Sequence, residues 1–415
     1  MRRALGLAAG LLGFAAAARA QSSPTQSAAA QSAPANVAIK GGVVHTMVGE
    51  PIRDGIVVIR DGKIAAVGPA ATTKVPEGFK VLEAPIVTPG LIDAHTVVGL
   101  TGYLNQAHDQ EQVEKSAPIQ PELRAIDAYD PDERLVEWIR GFGITTIHTG
   151  HGPLALVSGQ TMIAKTWGKT PEEAAVVPLA MVAATLGDSA IDKTPGTRSK
   201  AVAMLREELL KAQAYAKKMK DADESKRPER NLRNEILGKI LAGEVPLLVT
   251  AHRHRDIMSA LRLAEEFKIR IVLDGATDAH LLIDELKKAN IPVILDPAMT
   301  RAGGERENAS FETAAKLREA GIPFAFQSGF EGYVPKTRVV LFEGAISAAH
   351  GLGAPAALRA LTIDAAKILG IEKRVGSLEV GKDGDVALYD GDPFEYTSHC
   401  VGTVIGGKLV FEGKR

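Results

Sequence analysis

From residue 37 to about residue 88 the apolar positions come in β-branched runs broken by turn residues: 43–47 (VVHTM), 55–59 (GIVVI) and 63–68 (KIAAVG). Asp61-Gly62 sits between the last two. Asp-Gly between such runs is a two-residue hairpin signal, because a type I′ turn needs positive φ at both central positions. The same β texture returns at 386–389, 401–405 and 408–411. Between these two ends the pattern alternates. Short apolar runs lie at 91–95, 143–148, 161–165, 179–186, 247–250, 270–274, 292–296 and 323–327. Most are followed by helical periodicity, at 198–218, 231–242, 256–267, 279–289, 311–320 and 339–350. Eight short buried strands alternating with amphipathic helices predict parallel βα units closed into a barrel. A last helix, 355–369, has Pro355 at its first position and Gly370 at its stop. The expected chain is therefore α/β: a TIM-type (β/α)8 barrel over 89–371, with a small β-sandwich domain built from 37–88 and 372–415.

The first residues follow a different rule. Met1-Arg2-Arg3 is a short positive segment, Leu5 to Ala17 is apolar but too short to span a bilayer, and Ala18-Arg19-Ala20 fits a cleavage site. Residues 1–20 read as a signal peptide for periplasmic or secreted export, and 21–36 (QSSPTQSAAAQSAPAN) as a disordered linker. No integral membrane segment is expected once the signal is removed. Export permits disulfides, yet Cys400 is the only cysteine, so none can form within the chain and a Cys-rich zinc site is excluded. A net charge of −1 with no basic stripe gives no footprint for nucleic acid. The 221–230 segment (DADESKRPER) reads as an exposed loop. The polar stretch 99–129 reads as a lid over the barrel mouth, with Tyr103 and Asn105 near the cavity.

In a βα barrel, functional groups sit at the C-terminal strand ends and in the loops beyond them. The first such end is Pro89-Gly90-Leu91-Ile92-Asp93-Ala94-His95-Thr96-Val97. Alternate residues of a strand share a face, so Asp93, His95 and Val97 should point the same way. A second His at position 97 would complete a metal-binding pair; Val97 stands there instead. The second end, Ile147-His148-Thr149-Gly150-His151-Gly152-Pro153, carries two histidines in a Gly-rich turn. Each could face the cavity or staple the loop.

These segments resemble the metal-dependent amidohydrolase superfamily, in its imidazolonepropionase-like and prolidase-like branch. The likeness extends to Ser158-Gly159-Gln160-Thr161, to Thr185-Leu186-Gly187-Asp188-Ser189, to Pro246-Leu247-Leu248-Val249-Thr250-Ala251-His252-Arg253-His254, and to the return segment Gly376–Asp385. The resemblance implies both domains, a C–N bond hydrolase and one divalent metal, zinc before others. It carries His95 and, as a shorter carboxylate, Asp188 over as metal ligands. Beside them His148 or His151 and His252 could complete an alternate ligand set, with His151 or His252 as third ligand or base, Gln160 as a polarising donor and Asp93 as a catalytic neighbour of His95. Lys165 falls where some members use a modified Lys to bridge metals, although a Lys in a barrel more often pairs with a carboxylate. At Val97, Thr250, Gly275 and Gly329 the expected ligand or catalytic side chain is replaced. Two readings follow: an exported hydrolase of a small cyclic amide or dipeptide-like substrate with a rearranged metal site, or a catalytically silent binding protein or partner subunit of an active paralogue. Metal-free chemistry by the His/Asp cluster stays open, as does a homo-oligomer.

Overall fold

The computed structural model describes residues 36–102, 106–191, 194–221, 223–331 and 337–413. The expected signal peptide and all but the last residue of the linker lie outside the described residues, as do Tyr103 and Asn105.

Strands from both chain ends join in one sheet of seven, in the order Lys408–Glu412, Cys400–Ile405, Val386–Tyr389, Lys80–Pro89, Val37–Val44, Ile52–Arg60, Lys63–Pro69. Val37–Val44 and Lys80–Pro89 are parallel, and the other neighbours are antiparallel. The Asp61-Gly62 turn closes the Ile52–Arg60/Lys63–Pro69 hairpin, with Arg60 opposite Lys63. One face buries Val37, Ile39, Val57, Ile59, Val87 and Val386 in an apolar cluster of its own. Where two facing layers are expected, a single hydrogen-bonded sheet is found. Lys80–Pro89 pairs with strands from both ends, which makes a second layer unnecessary to unite them.

Lys80–Pro89 leads through Gly90 into Leu91–Thr96, the first strand of the central region. Leu91–Thr96 pairs in parallel with Ile144–Thr149. A second arc runs Val182–Thr185, Leu247–Ala251, Ile271–Gly275, Val293–Leu295 and Phe324–Phe326, all parallel. Backbone hydrogen bonds stitch the arcs at two seams: Gly329 N–H to His95 O (3.1 Å) on one side, and Thr161 N–H to Met181 O with Ala180 N–H to Thr161 O (both 2.8 Å) on the other. The result is a TIM-barrel-like α/β fold carrying an extra sheet.

One strand departs from the expected pattern. Met162–Lys165 runs antiparallel to Ile144–Thr149. A parallel neighbour needs a crossover connection, usually a helix, and the chain between these two strands contains only Val157–Gln160, itself a strand. The reversal points Lys165 away from the functional end. It lies between Asp385 and Asp383 (3.2 Å to the latter), next to the seven-stranded sheet. Its role is therefore the ion pair, not a metal bridge.

The helices cover the outside. Arg198–Met219 buries Ala201, Leu205, Leu209 and Ala212, and His254–Phe267 buries Ile257, Ala260, Leu263 and Phe267, spacings of three and four that keep one stripe inward. The expected 355–369 helix is two helices, Ala354–Ala360 and Ile363–Ile368. Thr362 breaks it by leaving helical geometry while its hydroxyl bonds back to the Leu358 carbonyl (2.6 Å).

Candidate active site

Residues two apart on a strand share a face. Leu248, Val272, Ile294 and Ala325 pack into one apolar layer with Ile92, Ile163 and Ala183, and Ala365 and Ala366 join it. The next residues on that face, one layer nearer the C-terminal strand ends, are Thr250, Asp274, Asp296 and Gln327. Alternation thus lifts a polar layer directly off an apolar floor.

Asp274 is its centre. Its Oδ1 accepts from His95 Nδ1 (2.9 Å) and from Gln327 Nε2 (2.9 Å), and its Oδ2 from the Thr250 hydroxyl (2.6 Å). All four side chains are buried, His95 to 4 % exposure. Burial alone would push the Asp274 carboxyl up, but the adjoining His95 charge and hydrogen bond hold it below the usual carboxylate range. Burial likewise opposes a charge on His95, and the Asp274 carboxylate outweighs it, so the imidazole is raised above its ordinary value. Each shift thus favours the charged form of its group.

Leu91–Thr96 carries a bulge: Asp93 opposes Ile147 and Thr96 opposes Thr149, so two residues face the single His148. Strict alternation of Asp93, His95 and Val97 is lost there, and Val97 is buried as an apolar residue. Asp93 Oδ1 accepts the Ser328 N–H (2.9 Å), while its Oδ2 is buried without a partner. Burial pushes this carboxyl up to about 7, against the Ser328 hydrogen bonds and the His95 charge. His95 Nε2 is likewise buried and unpartnered.

The remaining expected site residues are dispersed. His148 lies near His95, ring centroids 5.4 Å apart, but is fully committed. Its Nδ1 faces the Ala94 carbonyl (2.7 Å), which can only accept, so Nδ1 carries the proton. Burial and the neighbouring His95 charge lower its pKa to about 3, so the ring is neutral and Nε2 accepts from the Thr161 hydroxyl (2.6 Å). No lone pair remains for a metal. His151 is buried in its turn with Nδ1 unpartnered and burial lowering its pKa, opposed by Glu114. Gln160 turns its amide to the Pro121 carbonyl (3.1 Å), a loop staple instead of a polarising donor. Asp188 is a correction too: its side chain is 58 % exposed and ion-paired to Arg198, apart from the Asp274 cluster. Arg198 also holds the buried Asp256 (2.9 Å), and Glu305 accepts the Asp188 N–H (2.6 Å).

His252 hydrogen-bonds Thr277 (2.9 Å) and lies over Gly275. Burial lowers its pKa, with Asp296 opposing. His254 opens its helix and pairs with Asp278 (3.1 Å). Arg306 grips Asp296 (2.6 Å) beside this group. Motif reasoning assigns no role to Asp274 or Gln327 and gives Thr250 only as a replaced ligand. The available signal was their shared parity on successive strands, two positions beyond an apolar floor residue.

These residues do not fit a resident divalent ion. A zinc-type site needs at least three protein donors. Asp274 already accepts from three side-chain donors, His148 engages both nitrogens, and the side chains of Val97, Gly275 and Gly329 offer no ligand atom. Among the described residues no group of three His, Cys, Asp or Glu side chains is placed to hold a metal.

A bulged first strand carrying Asp93 and His95, with a polar layer on the C-terminal ends of parallel strands, makes a candidate site of the TIM-barrel-like kind. The comparisons agree. The amidohydrolase family profile matches residues 296–411. Imidazolonepropionases of Sphingopyxis alaskensis and Fusobacterium nucleatum are 25% and 26% identical over 403 residues, covering 84% and 86% of this chain and 91% and 92% of their own. An amidohydrolase from Thermotoga maritima superimposes with a TM-score of 0.85 at 27% identity, over 91% of this chain and all of its own. Together these likenesses support the amidohydrolase superfamily, whose members usually bind a divalent metal, as the class of this chain.

Proposed function

We propose that this protein is an exported hydrolase of a C–N bond in a small cyclic amide or dipeptide-like substrate, with Asp93 and His95 as its acid–base pair. The observation that carries the reading is that Asp93 Oδ2 and His95 Nε2, both buried and unpartnered, stand together on one bulged strand. The superfamily likeness and the similarity to imidazolonepropionases support the reaction class. Asp274 fixes the His95 ring through Nδ1 and leaves Nε2 for the substrate, the arrangement by which a carboxylate orients a catalytic imidazole. Asp93, titrating near 7, takes a proton from water as the water adds to the carbonyl carbon. His95 gives its Nε2 proton to the departing nitrogen as the C–N bond breaks. Export rests on Met1-Arg2-Arg3, the apolar 5–17 segment and Ala18-Arg19-Ala20.

A second reading, a silent binding protein or partner subunit of an active paralogue, draws on Val97, Gly275 and Gly329. One panel separates them: hydantoins, imidazolones, dihydropyrimidines and proline dipeptides, each followed by chromatography of the products. Turnover by the wild type, abolished in both His95→Gln and Asp93→Asn while the folded spectrum is kept, is the expected result. Binding of panel members without turnover would retire the hydrolase in favour of the binding protein.

A further inference from the structure

We infer that this chain carries no resident divalent metal, and that a hydrogen-bonded hub centred on Asp274 occupies the functional place of the ion. The inference rests on the reading above for where the site lies, though not for its activity.

Four separate strands contribute to the hub: His95 from Leu91–Thr96, Thr250 from Leu247–Ala251, Asp274 from Ile271–Gly275, and Gln327 just beyond Phe324–Phe326. A divalent ion in such a place gathers side chains of different strands by accepting their lone pairs. Here the polarity is reversed. One carboxylate gathers an imidazole N–H, a hydroxyl and a carboxamide N–H, at 2.9, 2.6 and 2.9 Å. Thr250, standing where the resemblance puts a ligand, has become a donor to Asp274. The residue at the expected ligand position is thus itself part of the hub.

The backbone argues the same way. Gly275 and Gly329 have φ of +76° and +69°, in the left-handed region that side-chain-bearing residues rarely adopt. A Cβ on Gly275 would lie 2.5 Å from His252 Cε1, so the ring of His252 fills the volume that a side chain there would need. A Cβ on Gly329 would lie 3.2 Å from Pro297 Cγ. A side chain at either position would have to adopt a left-handed backbone and push a neighbour aside.

The test uses the full mature chain, purified without chelator beside a His95→Ala variant. Metal content is read by inductively coupled plasma mass spectrometry, binding by calorimetric titration with zinc and with manganese, and stability by melting with and without EDTA. The expected result is well under one ion per chain, no saturable zinc or manganese binding, and no shift of Tm with EDTA or added metal, since a ligand bound only by the folded state must raise Tm. Near-stoichiometric metal that is lost in His95→Ala, or a fall in Tm with EDTA, would overturn the hub as a substitute for the ion. The two readings fail separately. A metal-loaded chain that turns over the amide panel sinks this inference and leaves the hydrolase standing, whereas a metal-free chain with no turnover does the reverse.

Discussion

Replacing Asp274 by Ala removes the acceptor of three buried donors at once: His95 Nδ1, the Thr250 hydroxyl and Gln327 Nε2. Each buried donor left unsatisfied costs about 1–3 kcal/mol. Breaking a buried ion pair from one side costs about 3–5 kcal/mol, because the partner charge stays in place. The three donors share one acceptor, so these figures overlap instead of adding. The expected loss is about 3–5 kcal/mol, a large part of the roughly 5–15 kcal/mol that holds a folded chain together. Asp274→Asn separates charge from shape. Its carbonyl can still accept from His95 and Gln327, and the Thr250 hydroxyl can rotate to accept from the amide, so the cost should be about 1.5–3 kcal/mol, the worth of hydrogen bonds to a charged group. Urea unfolding followed by circular dichroism at neutral pH reads both. The pH dependence gives an independent check. Asp274 is held low, so its contribution is present above its ordinary value of 3.8 and lost as pH falls through the lowered native value. His95 is raised, so its contribution is full below 6.5 and lost as pH rises through the higher native value. The gap between wild type and Asp274→Ala should therefore be widest between those limits and narrow on both sides. An Ala variant within about 1 kcal/mol of wild type, or a gap that does not change with pH, would refute the hub as a stabilising ion pair.

Lys165→Met should destabilise by about 3–5 kcal/mol in the same urea assay, since it leaves Asp385 and Asp383 buried without that cation; a loss below about 1 kcal/mol would remove Lys165 as the clamp between barrel and sheet. Asp188→Ala, at an exposed ion pair, should change stability by only about 0–1 kcal/mol and leave any amide turnover intact. Loss of turnover in that variant would return Asp188 to the catalytic site. Asp93 is raised to about 7 from 3.8, so folding favours its protonated form and stability declines as pH rises between those values. Asp93→Asn should flatten that slope in pH-dependent melts, and an unchanged slope would assign the decline to another group. Gly275→Ala should lower the melting temperature through its left-handed backbone and its contact with His252; an unchanged melt would mean that the ring moves aside freely.

The eight apolar runs were legible in the chain because burial on both faces leaves continuous β-branched and aliphatic stretches, and the helices because a 3.6-residue stripe must face the core. Pro89-Gly90 through Val97 marked the first barrel strand and its candidate end by itself. So did the pairing of N- and C-terminal β segments, which the seven-stranded sheet realises. What local sequence could not carry was direction and convergence. That Met162–Lys165 runs backwards is set by which strand it meets, and this alone sends Lys165 to Asp385 instead of to the site. His148 and Gln160 look equally catalytic as residue types; their atoms are spent on the Ala94 and Pro121 carbonyls only after the chain has folded. Asp188 lies at a strand end in sequence yet faces outward to Arg198. The same holds for the hub. Asp274 lies 179 residues from His95, 24 from Thr250 and 53 from Gln327, and no local pattern says that one carboxylate will meet all three. Periodicity fixes which face a side chain takes; only barrel curvature decides which side chains of other strands share the space in front of it.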